Sequence, residues 1–266
     1  DSVTIARSRK HIQTFYDTTA IGQFPTRLKP LSYRTPLSND KQAVTLNRIY
    51  AELSLIKMAV YAPVTYIFPS ALRKYEEIFD TLVEGKGRLK QVDRERSLQA
   101  LMTVNLLKRL ESSIHAFRLT LTFLEKNISN VIAKIDDFDA RAADDEVSIA
   151  PLMGYDQDEN GELLNPEDLI GNKLKIHLAD MDRLSWRMDL DGDREIIKGL
   201  LRMIATIDTK NDAKLQHVKS HIIEKLQHPI NPGNHKVIIF TAFADTANYL
   251  YENIAPFLLE NYGLHS

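Results

Sequence analysis

The sequence predicts a mainly α-helical protein, in which a helical bundle is followed by an incomplete α/β lobe. Two observations lead to this prediction. Apolar residues recur at helical spacing over most of the stretch 41–228. The stretch 229–266 instead pairs a short β-branched run with a helical pattern, which is typical of one β–turn–α unit of a parallel sheet. We therefore divide the 266-residue chain into segments 1–40, 41–228 and 229–266.

Segment 1–40 is predicted to be a connecting region. Val3 and Ile5 suggest a short strand, which leads into a basic turn of helix over 7–12. Three prolines exclude a long helix between residues 17 and 38, because proline lacks the amide donor that a helix interior needs. We expect an edge strand over 28–34, where a proline is tolerated.

Segment 41–228 is predicted to be a bundle of helices. The longest is expected over 93–135, where apolar residues form one broad stripe that is typical of a core seam. The stretch 136–168 is acidic and contains proline and glycine, which favours a surface excursion with little core of its own. The remaining helices are expected over 41–62, 70–83, 169–184, 193–207 and 212–227.

One part of the acidic stretch matches a cation-binding template. Asp156, Asp158, Asn160 and Glu167 have the spacing of an EF-hand calcium loop, which brings side-chain oxygens together around one ion. However, a proline and a glycine just before the loop disfavour the entering helix, and no second loop accompanies it. An acidic loop exposed to solvent is the favoured interpretation, and we assign no metal site.

Segment 229–266 carries the β–turn–α pattern. Val237–Phe240 is a β-branched and aromatic run without alternation, as expected for a strand buried on both faces. A turn is expected over 241–245, followed by a helix over 246–259 that Pro256 breaks late. Because a lone strand leaves its backbone groups unpaired, its neighbours are expected elsewhere in a longer protein.

The composition excludes several classes of function. The chain has no cysteine, so disulfides, thiolate metal sites and thiol catalysis are excluded. Apolar runs stay shorter than the ~18 residues that a membrane span needs, and we expect a cytoplasmic protein without a membrane partner. Residues 85–87 lack the spaced glycine and the Ser or Thr of a phosphate-binding loop, and no catalytic residue is assigned.

Charge is distributed unevenly along the chain. Residues 1–135 carry 21 Lys and Arg against 12 Asp and Glu, a net charge of +9, whereas residues 136–266 carry 13 against 24, a net charge of −11. A basic half suggests a surface that faces nucleic acid or phosphate, but ordinary solvated helix faces would give the same count. Arg7, Arg9 and Lys10 leave the same two alternatives, a phosphate contact or a solvated turn.

Three stretches share a pattern with one known family: residues 3–12 with Phe24 and Pro25, residues 106–117, and residues 212–215 with 235–247. Together they resemble the superfamily-two helicases, and within them the Swi/Snf-like ATP-dependent DNA translocases. In that family the first stretch joins the two RecA-like lobes, and the second is a helix that bacterial members insert before the second lobe's sheet. The third forms the lead helix, first strand and motif IV of the second lobe.

The resemblance implies an internal part of an ATP-dependent helicase. Residues 1–40 would be the interlobe linker, 41–228 the helical insertion, and 229–266 the first β–α unit of the second RecA-like lobe. The parent protein would bind ATP and magnesium, act on DNA or RNA, and place this chain beside an upstream RecA-like lobe. Alone, the chain is expected to need no cofactor and to be inactive.

The resemblance also implies where nucleic acid would bind. In that family the turn after the first strand meets the nucleic-acid backbone, and a helix that begins there offers free amide groups to a phosphate. The candidate nucleic-acid-binding residues are therefore Thr241, Ala242, Phe243, Thr246, Arg7, Arg9 and Lys10. The alternative is a stand-alone helical interaction or regulatory module without motor activity, in which residues 237–240 are a capping strand.

Overall fold

The computed structural model describes residues 8–17, 19, 24–79, 81–83, 87–89, 91–141, 146–148 and 175–264. Over these residues the prediction of a mainly helical protein is confirmed. The chain divides into a smaller unit, Asp1–Arg34 with Val218–Ile238, and a larger unit, Thr35–His217 with Ile239–Ser266. None of the described helices has the length and apolar character that crossing a bilayer requires.

The described helices and strands follow one another along the chain as a bundle with two short antiparallel strand pairs. The helices are α1 (Arg9–Phe15), α2 (Leu46–Leu53), α3 (Pro69–Phe79), α4 (Gln91–Ser112), α5 (Ile114–Arg141), α6 (Arg183–Ile204), α7 (Ala213–Gln227) and α8 (Ala244–Tyr262). The strands are β1 (Thr81–Val83), β2 (Gly87–Leu89), β3 (Glu146–Ser148) and β4 (Lys175–His177).

The core of the larger unit is formed by α5, which packs against both α4 and α6. Each of these helices turns an apolar stripe inward, as the sequence pattern predicts for a core seam. The side chains buried in this core include Leu98, Leu106, Leu110, Phe117, Leu121, Leu124, Ile128, Ile135, Trp186, Leu190, Ile197, Leu200 and Ile204.

The single helix predicted over 93–135 is wrong, because the chain turns a corner at Ser113. The Ser113 side chain begins α5 by accepting a hydrogen bond from the amide of Ala116 at 3.0 Å. Its own amide donates to the Arg109 carbonyl at 3.0 Å, so the corner leaves this backbone group paired. A serine side chain that caps a helix start stabilises such a break by roughly 1 kcal/mol.

Helix α5 also extends beyond its predicted end, since it continues to Arg141. The acidic residues at its end therefore lie on a helix rather than in a surface excursion. Asp136 accepts a hydrogen bond from Arg187 of α6 at 2.7 Å, and Asp139 accepts one from Arg183 at 2.8 Å. These ion pairs explain the acidic run of the sequence as part of the contact between α5 and α6.

An irregular segment, residues 57–66, follows α2 where a continuous helix over 41–62 was predicted, and its residues 58–64 are buried. Helix α2 ends at Leu53, and two short 3₁₀ turns follow at Ala59–Tyr61 and Pro63–Tyr66. Met58 has a left-handed backbone with φ of 55°, which a helix interior does not permit. Propensity did not reveal this segment, because side chains from the neighbouring helices satisfy its backbone groups.

Two antiparallel strand pairs are present, and one strand of each, β1 and β4, lies on residues that were predicted to be helical. Strand β1 pairs with β2, so α3 ends at Phe79 and does not reach residue 83 as predicted. Strand β3 pairs with β4, and a 3₁₀ turn then leads to α6, so the described part of the predicted helix over 169–184 is not one continuous helix. The helix predicted over 193–207 begins ten residues earlier, at Arg183.

The described part of the smaller unit contains α1, the last ten residues of α7 and two stretches without helix or strand, 24–34 and 228–238. Ser8 begins α1 by accepting a hydrogen bond from the amide of His11, which confirms a basic helical turn close to the predicted position. The edge strand predicted over 28–34 is wrong, since residues 24–36 contain neither helix nor strand. Thr26 is held instead by the Asn231 side chain, which accepts from its amide at 2.7 Å and donates to its carbonyl at 3.2 Å.

The two helices near the carboxyl end are confirmed, but the strand between them is not. Helix α7 lies within one residue of its prediction, and α8 covers the predicted 246–259. Pro256 does not break α8, which continues until Gly263 adopts a left-handed φ of 64°. Residues 235–240 form no strand, because no described segment pairs with them.

Candidate nucleic-acid interface at the start of helix α8

The resemblance directs attention to the turn 241–243 and the first turn of α8. The Thr241 hydroxyl accepts a hydrogen bond from the Phe243 amide at 3.3 Å, which closes a local turn of the kind that serine and threonine favour. The Phe243 carbonyl then accepts from the amides of Thr246 and Ala247, both at 3.1 Å, and starts the helix. The sequence-predicted turn is therefore present.

Arg109 of α4 contacts this helix start from inside the core. Its guanidinium lies 2.5 Å from the carboxylate of Asp245, and the Arg109 side chain is only 2% exposed. The same guanidinium lies over the ring of Phe243, 4.7 Å from the ring centre. Arg109 thus contacts the residues on both sides of Ala244, the first residue of α8.

A cluster of hydroxyl groups holds the next residue of the helix. Thr246 is buried, and its hydroxyl lies 2.8 Å from that of Ser112 and 2.9 Å from that of Ser113. The Ser112 hydroxyl also lies 3.4 Å from that of Thr241, at the limit of a hydrogen bond. The corner between α4 and α5 therefore reaches both the turn 241–243 and the first turn of α8.

The second turn of α8 is anchored through Tyr249. Its hydroxyl donates to Asp212 at 2.9 Å, and its ring stacks on His115 with centres 4.8 Å apart and planes 5° from parallel. Burial and the neighbouring carboxylate of Asp212 raise the pKa of Tyr249 well above its usual range, so it stays protonated as a donor. Asp212 also accepts from the Leu215 amide at 3.0 Å and so begins α7.

Lys214 completes the contacts at the corner. Its ammonium donates to the carbonyl of Glu111 and, at 3.1 Å, to that of Ser112, the last residues of α4. A cation at a helix carboxyl end complements the helix dipole and the free carbonyls there. Burial lowers the pKa of Lys214 from its ordinary value.

The predicted residues of the larger unit lie close together but do not share one exposed surface. Phe243 and Thr246 are buried against the helical body, and Thr241 is half-buried. Ala242 alone among these four is exposed. A nucleic-acid backbone would therefore meet the exposed side of this turn and its amide groups, while Phe243 and Thr246 serve to fix its position.

Two of the predicted basic residues lie in the described part of the smaller unit. The Arg9 guanidinium donates to the Pro25 carbonyl at 3.1 Å and lies 5.5 Å from the centre of the Phe24 ring. Lys10 is exposed to solvent. Arg7 lies outside the described residues. Arg9 thus has a structural contact, which leaves Lys10 as the freer candidate for phosphate.

The possible calcium ligands Asp156, Asp158, Asn160 and Glu167 lie outside the described residues. Within the described residues there is no group of three or more acidic or histidine side chains that could hold a metal ion.

Several site residues were not identified from the sequence. Arg109 lies on the buried stripe of α4 between Leu106 and Leu110, and a cation in such a stripe signals a buried partner. The adjacent serines Ser112 and Ser113 indicate a helix boundary, because serine side chains can bond to backbone groups at a helix end.

The run Val237–Phe240 was predicted to be a strand buried on both faces, but it is exposed. These apolar side chains are exposed, with Ile238 at 77% and Phe240 at 90%. A second apolar surface follows on α8, where residues at positions 244, 247, 251, 255, 258 and 262 recur at helical spacing. Tyr251 and Tyr262 of this stripe are exposed.

No protein-family model matches this chain, and neither the curated proteins nor the solved structures give a match.

Proposed function

We propose that this chain belongs to an ATP-dependent helicase or translocase, to which it contributes a helical insertion and the nucleic-acid-facing start of the second motor lobe. The observation that supports the proposal most is the exposed apolar run Val237–Phe240, which leads through a turn into a helix. This arrangement has the order of a β–turn–α unit, and in the proposed lobe other strands would flank the run.

The exposure of this run argues for a missing neighbour. Fully burying an exposed isoleucine or phenylalanine side chain stabilises a protein by roughly 1.5–3 kcal/mol. Ile238 and Phe240 are 77% and 90% exposed, and Val237 and Ile239 are 41% and 43% exposed, so covering this run would add stability. Residues 237–240 form no ladder with another described segment, and a strand needs backbone hydrogen bonds on its edges, which adds a second reason for pairing. A parallel sheet would satisfy both needs, and the apolar stripe of α8 would pack on its face.

Within the proposed motor, this chain's residues bind the nucleic-acid backbone and position the turn that meets it. The turn 241–243 and the amides at the start of α8 would face a phosphate of the nucleic acid, with Ala242 at the point of contact. Lys10 is proposed as a further phosphate contact. ATP and magnesium belong to the parent protein, and we route no step of hydrolysis through this chain, since residues 85–87 lack the features of a phosphate-binding loop.

Hydrogen exchange tests the proposed lobe. In the 266-residue chain the amides of Val237–Phe240 should exchange at rates close to those of an unfolded peptide. In the protein expressed from its full gene they should be protected by ~100-fold or more, because they would be paired in a sheet. The core of α5 serves as the internal control and should be equally protected in both proteins. Equal, fast exchange of 237–240 in both would refute the proposed lobe.

The stand-alone helical module is the second candidate. It is favoured by the continuous core that α4, α5 and α6 form within the larger unit, which needs no second lobe to be buried. Under this alternative residues 237–240 stay unprotected in the full-length protein, and nucleic acid has no effect on exchange at the turn 241–243.

A further inference from the structure

Arg109 is an unusual residue for its position. It lies in the middle of the buried stripe of α4, its side chain is 2% exposed, and its pairing partner is on a helix 136 residues further along the chain. Burying a guanidinium costs several kcal/mol before its partner offsets that cost, and an apolar side chain would fit the stripe without this cost. The residue therefore serves something other than the stability of the core.

The contacts of the corner residues Arg109–Ile114 are directed at consecutive residues of one short segment. Arg109 contacts Phe243 and Asp245, and the next residue, Thr246, is held by the hydroxyls of Ser112 and Ser113. The start of α8 is thus fixed from one direction at three nearly consecutive positions. Such a set of contacts determines the orientation of the helix as well as its location.

The charge of Arg109 has a second consequence at the same place. Asp245 lies in the first turn of α8, where its carboxylate would repel a phosphate that approaches the helix start. The Arg109 guanidinium at 2.5 Å neutralises that carboxylate from the buried side. The amides of the first turn then keep their attraction for an anion on the exposed side.

We propose that Arg109 is a positioning residue, which clamps the turn 241–243 and the first turn of α8 to the corner Arg109–Ile114, so that the helical body and this turn move as one rigid piece. The helical insertion then holds the nucleic-acid-binding turn in place and moves with it. The identity of the ligand rests on the proposed function, whereas the clamp itself is tested without any ligand.

Three variants and one matched control test the clamp in the 266-residue chain. Arg109→Met removes the guanidinium and keeps an unbranched stem in the buried space. Asp245→Asn removes the charge of its partner, whose side chain is 24% exposed, and keeps an amide oxygen that can still accept a hydrogen bond from the guanidinium. The double variant R109M/D245N has no uncompensated charge. The control Asp191→Asn breaks ion pairs of a carboxylate that is 29% exposed and lies away from the corner, on α6.

Hydrogen exchange is the first measurement. Amides of residues 246–251 should exchange ~10-fold faster or more in each of the three variants, because the first turns of α8 open more easily without the clamp. Exchange in the core of α5 should not change, and the control should leave residues 246–251 at the wild-type rate. Unchanged exchange over 246–251 in both Asp245→Asn and R109M/D245N would overturn the proposal.

Binding of a labelled DNA duplex, followed by fluorescence anisotropy over a range of salt, is the second measurement. Arg109→Met should weaken binding ~10-fold or more with an unchanged salt slope, because Arg109 positions the turn and does not itself neutralise a phosphate. The double variant should regain only the part of the affinity that the uncompensated Asp245 carboxylate removes, and full recovery to the wild-type affinity would overturn the positioning role. A salt slope reduced by ~1 in Arg109→Met would identify a direct phosphate contact and also overturn it.

The two proposals fail in distinguishable ways. If the wild-type chain has no affinity for the duplex while the variants accelerate exchange over 246–251, the clamp is supported and the nucleic-acid function is refuted. If the chain binds DNA and the exchange pattern does not change, the clamp is refuted and the function is not.

Discussion

Glu95 provides the sharpest test of the packing described for the helical body. It lies on α4 with no exposed surface and accepts a hydrogen bond from the Val64 amide at 3.1 Å. The Gln91 side chain donates to its other oxygen over a long distance, 3.5 Å. Burial raises the pKa of Glu95 from its ordinary value of 4.5 to about 8, since neither bond offsets the loss of water.

The direction of the pH effect follows from this shift. The folded protein holds the Glu95 proton more tightly than the unfolded chain does, so its contribution to stability is fully present below pH 4.5 and is lost as the pH rises through about 8. Each unit of pH between the two values costs about 1.4 kcal/mol. Between pH 5 and pH 8 the free energy of unfolding should therefore fall by about 3 kcal/mol on account of Glu95 alone.

Glu95→Gln removes this titration and keeps the shape of the side chain. Urea unfolding of the wild type and the variant at pH 5, 6, 7 and 8 gives the difference in the free energy of unfolding at each pH. We expect the variant to gain about 3 kcal/mol relative to the wild type over this range. Glu77→Gln, at an exposed ion pair with Arg73, is the control and should show a nearly constant difference.

A difference between wild type and Glu95→Gln that does not change with pH would refute the reasoning. It would mean that Glu95 is ionised in the folded protein and that water or a cation reaches it.

Three further predictions concern other parts of the protein. Asp193 accepts hydrogen bonds from the amides of Lys57 and Ala59 at 2.7 and 2.8 Å, so Asp193→Ala should cost about 3 kcal/mol in urea unfolding; a loss below ~1 kcal/mol would contradict the assigned bonds. Tyr249→Phe removes the hydroxyl bonded to Asp212 and should cost about 1–2 kcal/mol, with faster exchange at the start of α8; unchanged exchange would count against the anchor. Millimolar calcium should leave the melting temperature unchanged if residues 156–167 are a solvent-exposed loop, and a rise would establish a calcium site.

Most of the fold predictions that the structure confirms rest on the helical spacing of apolar residues. The stripes of α4, α5 and α6, and the bounds of α7, follow from the spacing of apolar residues, which packing against a core requires. Features set by single hydrogen bonds were missed. The corner at Ser113 depends on one serine side chain, which a window of apolar residues does not detect.

The conformation of the irregular segment 57–66 could not be predicted either, because hydrogen bonds from distant side chains determine it. Its backbone is satisfied by distant side chains: Asp193 accepts from its amides, and the Trp186 indole donates to the Ala59 carbonyl at 3.1 Å. These partners lie more than a hundred residues away, so local propensity favoured a helix. Tertiary contacts decided the conformation, including the left-handed backbone of Met58.

The turn at 241–243 was predicted from the sequence, but the exposure of its side chains was not. The resemblance identified the turn 241–243, whereas the exposure of each side chain depends on how α8 packs against α4 and α5. Phe243 and Thr246 belong to that packing, and Ala242 does not. The strand expected over 237–240 depends on neighbouring strands, and hydrophobicity alone cannot supply them.

The central claim, that this chain carries the nucleic-acid contact of an ATP-driven motor, is tested most directly by ATP hydrolysis of the protein expressed from its full gene. The rate should rise ~10-fold or more on addition of duplex DNA or RNA, and Ala242→Glu should abolish this rise by placing a carboxylate at the phosphate-facing turn. Asn130→Glu, which adds the same charge on an exposed position of α5, should keep it. No ATP hydrolysis, or stimulation that is equal in Ala242→Glu and the wild type, would contradict the account.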